Sequence, residues 1–277
     1  MDRQAQIDRA LAFRKMHDRS TILLLPNAWD AGSARLFARR GFTAIATTSG
    51  GMAWSLGYAD GEQMPLAEVL AAITRITRVV GVPVTADIEA GYGETPAAVG
   101  ATVQAVIEAG AVGINLEDSL PNHALRDCTD AAERIHAARS ATTMAGVPIV
   151  INARVDCWML PATDEDERFK DAVHRAKAYL AAGADCVYPI GLGDIATLAA
   201  FVKALDAPAN VGARPGVPGL AELAQLGVAR VSTATRFATI ALGAVDNAAQ
   251  AMCDSGGFDS LGPSLTHPDV QRLFAPG

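Results

Sequence analysis

Short apolar runs alternate with longer alanine-rich segments along almost the whole chain. The runs fall at residues 21–25, 44–47, 82–86, 112–116, 148–152, 186–189, 209–212 and 230–232. They are mostly apolar without strict alternation, which suits strands buried on both faces. Helical spacing occupies 31–40, 65–79, 96–109, 131–144, 164–182, 195–205, 220–225 and 235–251. Asp30 stands where an N-cap belongs. Pro65 takes a first-turn position. Gly41, Gly81, Gly110, Gly146, Gly183 and Gly227 each follow a helix, where a left-handed closing residue is expected. Eight strand–helix units in a chain of 277 residues predict a (β/α)8 barrel, with 1–277 as one domain. An open doubly wound sheet is the weaker alternative, because no Gly-x-Gly-x-x-Gly follows the first run. Residues 1–20 are charged and read as an amphipathic helix rather than a signal peptide.

Composition narrows the function. Half of the residues are hydrophobic, enough for a sizeable core. A net charge of −7 argues against a nucleic-acid partner, which needs a basic surface. No apolar run is long enough to span a bilayer, so no membrane role is expected. Cys128, Cys157, Cys186 and Cys253 lie far apart without metal-type spacing. They read as reduced thiols of a cytoplasmic protein.

In a barrel of this kind, chemistry gathers at the C-terminal ends of the strands. Polar residues collect there. Thr48-Ser49-Gly50-Gly51 and then Asp60 follow the second strand. Asp87 and Glu89 follow the third, within Thr85-Ala86-Asp87-Ile88-Glu89-Ala90-Gly91-Tyr92-Gly93. Glu117 and Asp118 follow the fourth, and Asn152, Arg154 and Asp156 the fifth. Asp87 and Glu89 share a face if the extended backbone persists through both. Hard cations such as Mg²⁺ take oxygen ligands of this kind and complete their shell with water. Any one pair is explained as solvated acids at a strand end; clustering on four successive strands is not. The run 164–167 is read as a solvated helix start, where acids favour the dipole. Trp29 is read as packing, and Arg214-Pro215-Gly216 as a loop leading into a helix.

These motifs resemble the isocitrate lyase and phosphoenolpyruvate mutase superfamily. The resemblance runs from Leu25-Pro26-Asn27-Ala28-Trp29-Asp30 to the last barrel helix, with Leu116-Glu117-Asp118 and Asn152-Ala153-Arg154-Val155-Asp156 among its specific elements. It implies a modified barrel, Mg²⁺ or Mn²⁺, and a small 2-oxo or 2-hydroxy carboxylate substrate. It also implies a homotetramer, a dimer of dimers, in which the C-terminal segment 234–277 is exchanged between neighbours. Carried over, Asp87 binds the metal directly, and Asp60, Glu89 and Glu117 hold metal-bound waters. Ser49, Gly50 and Gly51 grip a substrate carboxylate, and Arg154 pairs with substrate and enolate oxygens. Arg154, Glu117 and His123 are the catalytic candidates, and Asn122 is matched to a loop residue over the substrate.

Departures from the pattern shape the expected reaction. The Lys-Lys/Arg-Cys-Gly-His loop of the isocitrate and methylisocitrate lyases is replaced by a shorter stretch, Asp118 to Cys128. Cys128 does not inherit its catalytic thiol. Ser119 stands where phosphonate-acting members carry a lysine, and Tyr188-Pro189-Ile190-Gly191 contains neither the His nor the Glu often found there. The expectation is a Mg²⁺-dependent carbon–carbon lyase or decarboxylase working through an enolate on an oxaloacetate-like or methylisocitrate-like acid. The alternatives are phosphonopyruvate-type phosphorus–carbon cleavage, or a 2-oxo acid binding protein without turnover.

Overall fold

The computed structural model describes residues 2–120, 124–161, 164–262 and 265–275. The described residues hold nine strands interspersed with helices: β1 Leu23–Leu25, β2 Asn27–Ala28, β3 Ile45–Thr47, β4 Val84–Asp87, β5 Gly113–Leu116, β6 Val150–Val155, β7 Cys186–Pro189, β8 Asn210–Gly212 and β9 Arg230–Ser232. All pairings between them are parallel. One sheet runs β2-β3-β4-β5-β6-β7 and the other β1-β9-β8. A parallel bridge from Val187 to Ala209 joins β7 to the start of β8. Only Pro26 separates β1 from β2; it has no N–H to give the ladder, but its carbonyl accepts from Ala46 at 3.0 Å. Counting β1 and β2 as one stave, eight staves close into the (β/α)8 barrel that the pattern predicts.

The helices are α1 Arg3–Lys15, α2 Ala31–Arg39, α3 Ser49–Ser55, α4 Leu66–Thr77, α5 Pro96–Glu108, α6 Cys128–Ala145, α7 Glu165–Ala181, α8 Ile195–Leu205, α9 Leu220–Gln225, α10 Arg236–Ser255 and α11 His267–Phe274. No described helix is long and apolar enough to cross a membrane. The helix α1 closes the N-terminal mouth. Gln6 donates to the carbonyls of Ile107 and Ala111 just before β5, and Arg14 pairs with Asp185 just before β7. Phe13, fully buried, fills the barrel floor against Gly113. The opposite mouth stays open to loops.

Several expectations change in detail. Strand β6 runs to Val155 rather than ending at Asn152, so Arg154 is anchored within the ladder opposite Tyr188. Helix α6 starts at Cys128, because Asp127 caps it through Thr129 and Asp130 N–H. Five of the six helix-closing glycines have positive φ, but Gly81 does not. Its helix ends at Thr77, so Gly81 lies beyond the closing position. Ser49-Gly50-Gly51, given no element by the pattern, forms the first turn of α3, capped by Thr48. Helix α11, which the pattern does not predict, is set by the Thr266–Asp269 capping box.

Candidate functional site

The C-terminal ends of β3, β4, β5 and β6 bring most of the predicted residues together. Asp87 is the last residue of β4. Its Oδ2 accepts from the Ser49 backbone N–H at 3.1 Å and from the Ser49 hydroxyl at 2.9 Å. Its Oδ1 accepts from the Asn115 side-chain amide at 3.1 Å. Its own N–H donates to Thr47 Oγ1 at 2.8 Å. Three donors from two neighbouring elements thus fix the carboxylate at the barrel mouth.

Asp60 reaches the same place from the loop after α3. A Cβ on Gly50 would lie 2.9 Å from Asp60 Oδ2, so glycine makes room for this carboxyl. Burial pushes the Asp60 carboxyl up, and the charge of Asp87 adds to that. Glu89 departs from the expected geometry. Its φ is +51°, so the extended backbone ends before it, and Asp87 and Glu89 do not lie on one strand face. Its carboxylate instead accepts from the Tyr92 hydroxyl and from Glu62 N–H, each at 2.6 Å. Burial raises Glu89 to about 7 despite these donors, with Asp87 and Asp60 adding repulsion.

Arg154 is the cation of the site. Its Nε and Nη2 form a fork onto both oxygens of Asp156, at 2.6 and 2.5 Å, and its Nη1 pairs with Glu117. The two acids hold the guanidinium firmly protonated against its burial. Burial pushes Glu117 up and Arg154 pulls it back, while Ser119 donates to Glu117 Oε1 at 2.8 Å. Arg154 still has N–H groups free of these pairs to offer a ligand, because a guanidinium carries five.

Behind this group, Asp118 is a structural acid, only 1 % exposed. It accepts from Asp156 N–H at 2.9 Å, the Tyr179 hydroxyl at 2.6 Å and Arg175 at 3.3 Å. It therefore sets the position of the residue that aims Arg154.

Of the remaining candidates, Asn122 and His123 lie outside the described residues. Gly51 N–H is taken by Thr48 Oγ1 at 3.4 Å, and a Cβ there would meet Trp29 at 2.8 Å, which fits a packing role for Trp29. The Cys128 thiol is raised by burial rather than activated, and all four cysteines are free. Arg214 donates to the Gly191 carbonyl at 2.9 Å on the rim. Asp164 caps α7 with acids filling its first turn, as expected.

The sequence reading gave no role to Asn115, Tyr188 or Arg230, and counted Asn152 only among the polar residues after the fifth run. Each is a polar residue inside an otherwise apolar run, at an inward position two residues from another inward residue. That parity was the available signal.

The donor set fits a hard cation better than a soft one. Among the described residues, no three His, Cys, Asp or Glu groups converge as direct metal ligands. One well-fixed carboxylate with further acids around it suits an ion that keeps several waters, as Mg²⁺ does. The repulsion from Asp87 that adds to burial in raising Asp60 and Glu89 is relieved by added positive charge at their centre.

The chain is similar to several known proteins. A profile of the phosphoenolpyruvate phosphomutase family matches residues 13–253. A solved Burkholderia cenocepacia J2315 structure, provisionally described as a lyase/mutase, superposes with a TM-score of 0.91 and 38% identity, covering 99% of this chain and 98% of the other. The 2-methylisocitrate lyase of Escherichia coli K12 is 34% identical over 218 residues, 74% of this chain and 71% of that protein. Oxaloacetate decarboxylase 2 of Pseudomonas putida W619 is 29% identical over 222 residues, 78% and 69% respectively.

Proposed function

The chain belongs to the phosphoenolpyruvate phosphomutase family, and we propose that it is a Mg²⁺-dependent carbon–carbon lyase or decarboxylase of small 2-oxo or 2-hydroxy carboxylates. The observation that carries this reading is the Arg154 guanidinium, fixed by Asp156 and Glu117 on the same barrel mouth as the triply hydrogen-bonded Asp87. A cation-binding carboxylate and a rigid donor fork are the two parts that enolate chemistry needs.

Asp87 would hold the cation directly, and Asp60, Glu89 and Glu117 would hold its waters. Bound Mg²⁺ would polarise the substrate carbonyl and offset its charge. Arg154 orients the substrate anion and stabilises negative charge as it moves onto the enolate oxygen, the fork being matched to carboxylate-like oxygens. The α3 N-terminus offers the Gly50 N–H to a substrate carboxylate, since Ser49 and Gly51 N–H are already engaged.

Phosphorus–carbon cleavage is the less favoured reading. Ser119, in the place of the expected lysine, turns its hydroxyl onto Glu117 and brings no positive charge to a phosphonate.

The test is a Mg²⁺-dependent turnover screen of oxaloacetate, 2-methylisocitrate, isocitrate and phosphonopyruvate, with products identified by mass. Oxaloacetate or 2-methylisocitrate should turn over, and Asp87→Ala should lower the rate at least about a hundredfold with circular dichroism unchanged. Retained activity in that variant would remove Asp87 from the mechanism. Oxalate binding without any turnover would favour the 2-oxo acid binding protein.

A further inference from the structure

Tyr188 lies on β7 directly opposite Arg154 on β6, the two Cα atoms being registered partners. Registered neighbours on adjacent strands face the same side of a sheet, so the phenol enters the barrel on the side of the Arg154 guanidinium. The residue is 6% exposed, yet its hydroxyl makes no hydrogen bond within the described residues. Its oxygen is not among the sealed-off side-chain atoms without a partner, so a molecule entering the barrel mouth can reach it. Space for it is made by the chain itself. A Cβ on Gly212 would fall 2.7 Å from the Tyr188 hydroxyl oxygen, and Gly212 does not have the positive φ that would otherwise account for a glycine.

Beyond burial, Arg154 and Arg230 favour the ionised form of the Tyr188 phenol, while Asp87 and Asp156 oppose it. Arg230 is 2% exposed, and its Nε and Nη1 have no partner among the described residues. Burial holds the phenol protonated, raised to about 12.

We propose that Tyr188 is the proton donor to the enolate carbon, in a chain that lacks the Cys-Gly-His loop. This assignment rests on the enolate chemistry proposed above. After carbon–carbon cleavage, the enolate's electron pair takes the Tyr188 hydroxyl proton to form the new C–H bond. The phenolate left behind is stabilised by the two guanidiniums, Arg154 and Arg230. Solvent then returns a proton to it, so the residue is restored without any oxidant or co-reactant.

The experiment follows deuterium entering the methyl group of pyruvate in D₂O with Mg²⁺, by proton NMR, beside calorimetric binding of oxalate. Wild type should exchange the methyl protons. Tyr188→Phe should slow exchange by about a hundredfold or more, the usual worth of a positioned acid. Its oxalate affinity should stay within about twofold, since oxalate needs no proton. The melting temperature should hold, because no protein hydrogen bond is lost. Gly212→Ala should reproduce the exchange defect by displacing the hydroxyl. Unchanged exchange in Tyr188→Phe overturns the assignment. Loss of oxalate binding together with exchange also overturns it, making Tyr188 a binding residue. Wild type that binds oxalate but does not exchange pyruvate would overturn the enolate reading, and the assignment with it.

Discussion

Asn115 donates its side-chain amide to Oδ1 of Asp87 at 3.1 Å, from the registered position on the neighbouring strand. Asn152, registered with Asn115 on the next strand, donates in turn to the Asn115 side-chain oxygen at 2.8 Å. Three adjacent staves therefore set one carboxylate. Asn115→Leu removes this donor while keeping the volume similar. If Asp87 holds the cation, Mn²⁺ affinity measured by calorimetry should fall about 10- to 100-fold, the usual cost of losing a group that orients a metal ligand. Unchanged affinity would show that the Ser49 bonds suffice.

The Asp118 network should be a matter of stability. Tyr179→Phe removes one hydrogen bond to a buried carboxylate and should cost about 1–3 kcal/mol in urea unfolding. Asp118→Ala leaves the Asp156 N–H and the Tyr179 hydroxyl without their acceptor, while Arg175 keeps Asp171, and should cost about 2–6 kcal/mol, ~1–3 for each buried donor left open. Equal losses in the two variants would contradict a shared centre at Asp118.

The barrel was legible because its strands are continuously apolar and its helices are closed by glycine. The ends of elements were less so. Pro26 splits one stave in two, and the length of β6 is decided by its pairing with Tyr188 and Pro189, a contact 34 residues away. The acids at the mouth were legible as a cluster, but their individual geometry was not. Glu89 leaves the strand face because its φ is left-handed, which no local glycine announces at that position. The first turn of α3 was hidden because two glycines disfavour a helix; close approach to Asp60 and Trp29, not propensity, demands them. Tyr188 was passed over because a His or Glu was sought there. What makes it noteworthy, an open hydroxyl over Gly212, exists only once β7 and β8 are side by side.

His17 should make stability fall in mild acid. It is 5% exposed beneath the barrel floor, with Nδ1 2.9 Å from the Phe13 carbonyl and Nε2 without a partner among the described residues. Burial, then Arg230, lower its pKa to about 4, and Arg14 adds to this against Asp185. Between that value and the unfolded one, the unfolded chain binds the extra proton. Its contribution is therefore complete above the unfolded pKa and is lost as pH falls toward 4. The loss from pH 7 to pH 5 should be about 2 kcal/mol. Glu89, raised to about 7, works with the opposite sign in that window, so the readout is wild type against His17→Gln in urea at both pH values. Parallel pH slopes in the two proteins would contradict a neutral buried His17.

Helix α10 calls for a partner. Its first turn packs on the barrel, with Phe237 against Phe37 at 5.0 Å between ring centroids and Ala238 near Gly51. Beyond that it leaves the surface. Of its 20 residues only Ala238 is buried, while Ile240, Leu242 and Val245 are 63%, 56% and 67% exposed. A helix of this length gains most of its stability by burying an apolar face, and a bare one is marginal in water. The exposed apolar patch is of the kind that marks association. We propose that a second copy of the chain covers it, consistent with exchange of this segment between subunits. Light scattering should give a mass of at least two chains, with four expected from the family resemblance. The double variant Ile240→Asp and Val245→Asp should shift it to a smaller species and lower the melting temperature. A monomeric wild type would leave α10 stable on its own and overturn the proposal.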